Sequence, residues 1–320
     1  MRYLVAVILL VISSLAYSDD TYIYHSVGGT PAQEDGISDI FIKEELIRIT
    51  LHENSYLIDV TIKFENIGKE CRVGVGFPLF SLADPLSNSI EKQFRDFRTY
   101  VNGVESEFTL TEVQKYQKNG LTSFYMKEVV FKEREVTETR IIYQSDYSQV
   151  GMFWAVPYLY GTGKSWGARP WDIYVEIVNS SSKWLIDFKV NHPISRMSNN
   201  QNKVSLFLKG IFPVNINEMM EIWFFDQSFD IEFDEMAFLR SHILSDLKLK
   251  LMTKEQLRLL RNAFFAVHGY RFKSADLRVY FQSIDWYRPR DDFSEDYLTS
   301  KEKINVQKIQ EEEKQRIDSE

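Results

Sequence analysis

Cysteine, histidine and proline are scarce in these 320 residues, with one, five and eight of each. The lone Cys71 excludes an intramolecular disulfide and reads as a small, largely apolar residue at the start of a strand. The histidines are His25, His52, His192, His242 and His268, and no two stand at i,i+4. With one cysteine to join them, they form no zinc-ligand cluster, so no metal and no cofactor is expected. Long basic runs are absent too, and the formal net charge is -8. That balance argues against nucleic acid and against anionic lipid as partners. Gly163-Lys164-Ser165 imitates the end of a phosphate-binding loop, but Tyr158 stands where the first glycine is required. Strands are not separated by helical segments, which argues against a parallel α/β sheet.

A short apolar run does occur at the start. Arg2 carries charge, residues 4–12 are apolar, and Ala16 and Ser18 are small residues ahead of Asp19-Asp20. Residues 1–18 therefore read as a signal peptide, too short for a comfortable membrane span. No cysteine follows for lipid attachment, and no later segment is apolar enough to cross a bilayer. The mature chain is expected to be exported, periplasmic or extracellular.

From about residue 40 to 233 the apolar period is two. Ile58, Val60, Ile62 and Phe64 alternate with Asp59, Thr61, Lys63 and Glu65, a half-buried strand. Val73, Val75 and Phe77 follow a turn at residues 66–68, and a hairpin between the two strands is expected. Asn102-Gly103 predicts a type I′ hairpin. Further strands are expected over 124–132, 137–144, 171–178, 184–190, 204–208 and 222–225. In the 184–190 strand, Trp184, Ile186, Phe188 and Val190 are expected to share one face. The pattern turns helical after residue 233. Thr253 with Gln256 and Thr299 with Glu302 are capping boxes, and Ser274 starts a helix between them. Gly269 would end the first of these helices in left-handed conformation.

The fold class expected is α+β multidomain: an N-terminal antiparallel β-sandwich-like domain over residues 19–235, then a small all-α domain of about three helices over 241–320. The C-terminal quarter resembles the YARHG domain. The resemblance rests on the run from Leu257 through Arg261-Asn262-Ala263-Phe264-Phe265-Ala266-Val267-His268-Gly269-Tyr270-Arg271-Phe272. It continues through Leu277, Tyr280-Phe281, Trp286-Tyr287-Arg288-Pro289 and Glu302, Asn305 and Ile309. Phe265 and Val267 stand where the eponymous motif has tyrosine and arginine. The resemblance implies a bacterial extracytoplasmic module and carries no established chemistry. The preceding part is similar to uncharacterised exported β-rich proteins through Thr162-Gly163 and Trp166-Gly167.

Candidate site residues fall in two groups. Tyr158, Tyr160, Trp166 and Trp171 lie in a dense aromatic stretch and are the expected binding surface. Arg261, Asn262, His268, Gly269, Trp286 and Tyr287 belong to the motif and read as structural. His268 is expected to cap the last helical turn, and Arg261 to brace against Asp276 or Asp285. Gly163-Lys164-Ser165-Trp166-Gly167 fits a nucleophile elbow in letters, but a turn and then a strand follow Ser165 where a helix is needed. No catalytic set emerges. The reading favoured is a non-enzymatic binding or accessory module of the cell envelope, with an envelope protein or a cell-wall glycan as partner. A cell-wall polymer hydrolase in the periplasm is the alternative, and a purely structural subunit is a third.

Overall fold

The computed structural model describes residues 22–23, 27–33, 37–79, 94–119, 121, 123–150, 153–167, 169–200, 203–225 and 233–317. The expected signal peptide, residues 1–18, and His25 lie outside them. The strands are β1 (Tyr22–Ile23), β2 (Gly28–Gly29), β3 (Ala32–Gln33), β4 (Ile40–Leu51), β5 (Tyr56–Asn66) and β6 (Cys71–Leu79). Next come β7 (Arg95–Val101), β8 (Val104–Glu105), β9 (Thr109–Glu112), β10 (Ser123–Phe131), β11 (Val136–Ser145) and β12 (Ser148–Val150). The set ends with β13 (Phe153–Leu159), β14 (Trp171–Asn179), β15 (Trp184–Lys189), β16 (Arg196–Asn200), β17 (Lys203–Ile211) and β18 (Met219–Phe225). Five helices follow: α1 (Phe233–Ser241), α2 (Asp246–Leu251), α3 (Lys254–Ala266), α4 (Ala275–Gln282) and α5 (Ser300–Ile317).

An eight-stranded sheet, ordered β16-β17-β14-β4-β5-β11-β7-β8, forms one layer. A six-stranded sheet built on β13 and β18 and a four-stranded sheet built on β6 and β10 face it. Inward residues of the three share one core, including Ile47, Val60 and Val175 from the first sheet, Phe224 from the second and Phe131 from the third. Pairing is antiparallel except for β4 with β14 and β2 with β13. The alternation of β5 is as its sequence predicts, with the even-numbered residues inside.

The expected hairpin between β5 and β6 does not form. β5 pairs with β4 and β11, whereas β6 pairs with β3 and β10. Both strands have one strongly apolar face, and the chain buries the two faces against each other by crossing between sheets. Asn66 fixes that corner. Its amide donates to the Phe131 carbonyl at 3.0 Å and the Lys69 carbonyl at 2.9 Å, while its side-chain oxygen accepts from Gly68 N. The Asn102-Gly103 hairpin is present, with φ of 50° and 79°. The register of β15 shifts between Leu185 and Asp187, so the expected common face is split. Leu185 and Phe188 enter the sandwich core, and Trp184 and Ile186 turn to the helical side, as a bulge requires.

Glu45 is fully buried between the layers. Thr30 Oγ1 donates to its oxygens at 2.9 and 3.0 Å, Tyr158 OH at 2.5 Å and Trp171 Nε1 at 3.3 Å. These bonds hold residues 27–33 inside the fold, where Gly28 pairs with Tyr158. A Cβ at Gly28 would lie 2.3 Å from the Phe77 ring. Burial outweighs the three donors and pushes the Glu45 carboxyl up to about 7.

The three helices read from their caps are present as α3, α4 and α5, joined by two short ones ahead of them. Thr253 and Gln256 form the expected capping box; Ser274 occupies its cap position without a side-chain cap bond. The helices pack on the outer face of the six-stranded sheet. Phe153, Trp184, Ile186 and Trp223 of that face share a core with Met236, Leu239 and Leu244. Asn199 Nδ2 donates to the carbonyls of Lys250 and Met252, and Lys248 approaches Asp187 at 3.7 Å. The layers are thus helices, six-stranded sheet, eight-stranded sheet. Among the described residues, nothing covers the outer face of the last.

A raised carboxyl pKa makes the native state the better proton acceptor. The Glu45 contribution is therefore full below about pH 4.5 and is lost as pH rises to about 7. The difference is about 3 kcal/mol at 1.36 kcal/mol per unit. Urea unfolding of the Glu45→Gln variant between pH 5 and 8 is expected to lack that slope, whereas the parent chain shows it.

Candidate functional site

The four aromatic residues expected at a surface are placed elsewhere. Tyr158, Tyr160, Trp166 and Trp171 are all buried. Tyr158 and Trp171 bond Glu45, as above, and Tyr160 OH donates to Glu218 Oε2 at 2.8 Å. Trp166 Nε1 donates to the Pro31 carbonyl at 2.6 Å, with its ring 4.5 Å from that of Phe64. The stretch is core because β13 and β14 belong to opposite layers: Tyr158 and Trp171 point into the space between them, and the chain that links the two strands carries Tyr160 and Trp166 across it. Ser165 ends a short 3-10 turn, and its Oγ accepts from Gln33 N at 3.0 Å, so it anchors β3.

The motif residues form the inner scaffold of the helical part. The His268 side chain does not make the expected cap; only its backbone N–H reaches a helix-end carbonyl, that of Phe265 at 3.1 Å. Its Nε2 lies 3.1 and 3.2 Å from the two oxygens of Glu302, which is fully buried. Arg240 also donates to Glu302, and Thr299 N donates to its Oε2 at 2.6 Å. Burial pulls the Glu302 carboxyl up, but the Thr299 N–H, Arg240 and His268 outweigh it and hold the pKa below its ordinary value. Arg261 pairs with Glu313 of α5, and Asp276 pairs with Arg258 instead. Asn262 donates to the Arg258 carbonyl within its own helix. Gly269 has φ of 84°, and a Cβ there would lie 2.8 Å from the Arg288 carbonyl oxygen. Tyr287 is buried and donates to the Tyr270 carbonyl, and Trp286 packs at the edge of the same core.

The open face of the eight-stranded sheet presents a different arrangement. Cross-strand register sets Arg196, Phe207, Tyr174, Leu46, Thr61 and Arg140 in one row. All six are at outward positions of strands whose alternate residues fill the core. The Tyr174 and Phe207 rings stack at 4.7 Å with 26° between planes. Arg196 lies over the other flank, its guanidinium carbon 4.7 Å from the Phe207 centroid. On one side runs a row of Asp172, Glu44, Lys63 and Glu138, and on the other Ser198, Ser205, Glu176, Arg48 and Asp59. Lys63 binds Glu44 at 2.7 Å; Arg48 and Lys203 bind Glu176 at 3.0 and 2.5 Å. Lys203 and Arg48 hold the Glu176 carboxyl below its ordinary pKa. Arg140 grips Asp59 through two bonds of 2.8 and 2.7 Å.

This face encloses a groove of about 900 Å³ that runs from β16 to β11. Six strands at about 4.8 Å spacing make it roughly 24 Å long. Sequence reasoning passed over it. The usable signal was an aromatic residue in the wet phase of an alternating strand, which both Tyr174 and Phe207 provide. The groups with strongly displaced pKa lie elsewhere. Glu45 is in the core, and Lys127 is buried with its Nζ bonded to Thr99 and to the Tyr100 carbonyl at 3.1 Å. Burial pushes the Lys127 amine down to about 7. Among the described residues, no group of three metal-ligating side chains occurs, and no helix is long and apolar enough to cross a membrane.

The YARHG domain family matches residues 235–314. Among solved structures, the chain is similar to a candidate nutrient-binding protein of Legionella pneumophila subsp. pneumophila strain Philadelphia 1. Identity is 20%, the match covers 90% of this chain and 98% of that one, and the TM-score is 0.54. The two share a fold. An M1 zinc metallopeptidase from Deinococcus radiodurans matches at 12% identity and TM-score 0.34 over 58% of this chain and 42% of its own, too distant to carry an argument. No curated protein matches the chain.

Two sets of substitutions separate scaffold from surface. Trp166→Ala is expected to lower stability by about 3–5 kcal/mol, whereas Tyr174→Ala and Phe207→Ala each cost no more than about 1 kcal/mol in urea unfolding. Glu302→Ala removes the shared partner of Arg240 and His268 and is expected to cost roughly 2–4 kcal/mol. Since the Glu302 pKa is depressed, its contribution is present above pH 4.5 and lost as pH falls through the folded value. Calorimetry at pH 3 and pH 7 checks this, with the variant closest to the parent at the lower pH.

Proposed function

We propose that this chain is an exported, non-enzymatic binding protein of the cell envelope, with residues 1–18 as its leader, and that the groove on the open sheet face holds its ligand. The observation that carries the reading is the row of stacked Tyr174 and Phe207, with Leu46 beside them, on a largely polar face left uncovered by the layered fold. Exposed aromatic groups on a rigid sheet give contact area at little ordering cost. The groove favours binding over hydrolysis. A general acid needs a carboxyl with raised pKa in the cleft; of the carboxylates lining the groove, Glu176 is held low by Lys203 and Arg48 and Glu44 is ion-paired with Lys63, an arrangement that suits binding better. The Legionella protein of the same fold is described as a candidate nutrient-binding protein, which agrees with a binding role. The helical part acts here as an accessory packed on the sandwich, because its core is continuous with the six-stranded sheet.

The test uses residues 19–320, incubated with cell-wall polymer and with detergent-solubilised envelope material. Retention is expected on one of them and should fall at least tenfold in the Tyr174→Ala, Phe207→Ala double variant, which stays folded with a melting temperature lowered by no more than about 8 °C. Undiminished retention by the double variant would remove the groove from the proposal. Cutting the chain near residue 235 is a poor substitute, since it would strip the helices from Trp184 and Trp223.

A further inference from the structure

Arg196 stands on two cavities at once. It ends the aromatic row of the groove, and with Met197 it also lines a second pocket of about 410 Å³ beyond the edge strand β16. That pocket has His192, Ser195 and Lys250 on its walls over an apolar floor that includes Phe188 and Leu247, and its lining contains no carboxylate. Glu218 lies outside the lining, 4.0 Å from His192 Nε2. Among the described residues, Arg196 forms no ion pair and its guanidinium lies over Phe207; Lys250 forms none either, although Asp246, one turn back on α2, is close enough to feel its charge. The contrast with the groove is clear, since Lys63, Arg48 and Arg140 are each paired there.

From this juxtaposition we infer that the ligand of the groove is an acidic saccharide, one ring lying across the exposed rims of the stacked Tyr174 and Phe207 and its anionic substituent reaching Arg196 and the pocket of His192 and Lys250. The inference rests on the proposed function and names its ligand class. A sugar ring has an apolar C–H face to set against the aromatic rims and hydroxyls that both donate and accept. Paired charges beside the rims offer fixed donors and acceptors of both kinds at small reorganisation cost. Other ligands fit worse. An acyl chain would bury those ion pairs without replacing their water. An extended peptide takes its backbone bonds from a sheet edge, not from a face. A nucleic acid needs a cationic track, and Glu44, Glu138 and Glu176 line the groove. The cations at one end, Arg196 above all, favour a negative group on the sugar, and a guanidinium can bind carboxylate or phosphate with two bonds.

The experiment is an oligosaccharide array probed with residues 19–320. Each carboxylate-bearing member stands beside its carboxyl-reduced form, and each phosphate-bearing member beside its dephosphorylated form; the two arms distinguish the anion sources. Binding is expected only among acidic members. Arg196→Ala should weaken it about ten- to a hundredfold, the gain typical of a charge-assisted pair. Lys250→Ala, at an exposed position, should weaken it in the same direction and guards against misfolding of the first variant. Neutral counterparts bound as tightly as acidic ones, or no effect of either substitution, would overturn the anionic assignment. No array member bound, with Tyr174 and Phe207 still required for retention of envelope material, would overturn the saccharide and leave the proposed function standing. Loss of that requirement would remove both.

Discussion

A carboxyl group placed between two apolar layers must find donors or shed its charge, and Glu45 does both in part. It takes bonds from Thr30, Tyr158 and Trp171, so three separate stretches of chain converge on one point. That convergence brings residues 27–33 into the interior and aligns β13 and β14 on opposite sides of it. Glu45 is inside at all because of a register shift in β4 between Ile42 and Glu44. After that shift Glu45, Ile47 and Ile49 point inward, and Glu44, Leu46 and Arg48 point outward. The same bulge therefore sets the buried knot and the phase of the groove. A one-residue slip would exchange the two sets, which is why sheet registers with one buried face are strongly specified.

The helical part repeats this logic on a smaller scale. Glu302 is the buried acceptor there, and it draws α1, the end of α3 and the start of α5 together through Arg240, His268 and Thr299. Asn305 adds bonds to Leu244 N and to the His242 carbonyl, which ties the α1–α2 connection to α5. His268 thus serves as a brace between helices. Phe265, in place of the motif's tyrosine, packs edge-on toward Tyr270 and tilted toward Phe293, a role that needs no hydroxyl.

Local patterns in the sequence carried the parts of the fold that local physics decides. The alternation of β5, the Asn102-Gly103 turn and the caps at Thr253 and Thr299 are each set within a few residues. Partnerships across the chain are not. The crossing of β5 and β6 between layers depends on β10 and β11, about sixty residues on, closing the same corner. The bulge at Ile186 sets Trp184 against the helices, a long-range contact that the strand's own alternation does not encode. The aromatic stretch from Tyr158 to Trp171 was legible as dense but not as buried, because period-two patterning cannot tell a strand covered on both faces from a loop rich in rings. The motif at 257–272 was legible as a family signature; its partner Glu302 was legible as a cap, and the bond between them was not.

The groove was illegible for a related reason, and that reason bears on its role. Tyr174 and Phe207 sit at positions where alternation predicts polar residues, so each alone is an ordinary exception. Register turns them into a stack, and only the cross-strand pairing of β14, β17 and β16 adds Arg196 to it. A sheet face that needs only solubility would be served by the charged rows on either side, with a polar residue in the middle. Placing Phe207, Tyr174 and Leu46 side by side at the centre with paired charges in the flanking rows matches the proposed recognition role: a contact patch with polar margins whose side chains are already fixed. Preorganised margins lower the ordering cost of binding, so a rigid face can hold a ligand without any moving part. The layered fold supplies that rigidity from behind, where Ile47, Val60 and Val175 are locked in the core directly beneath the groove.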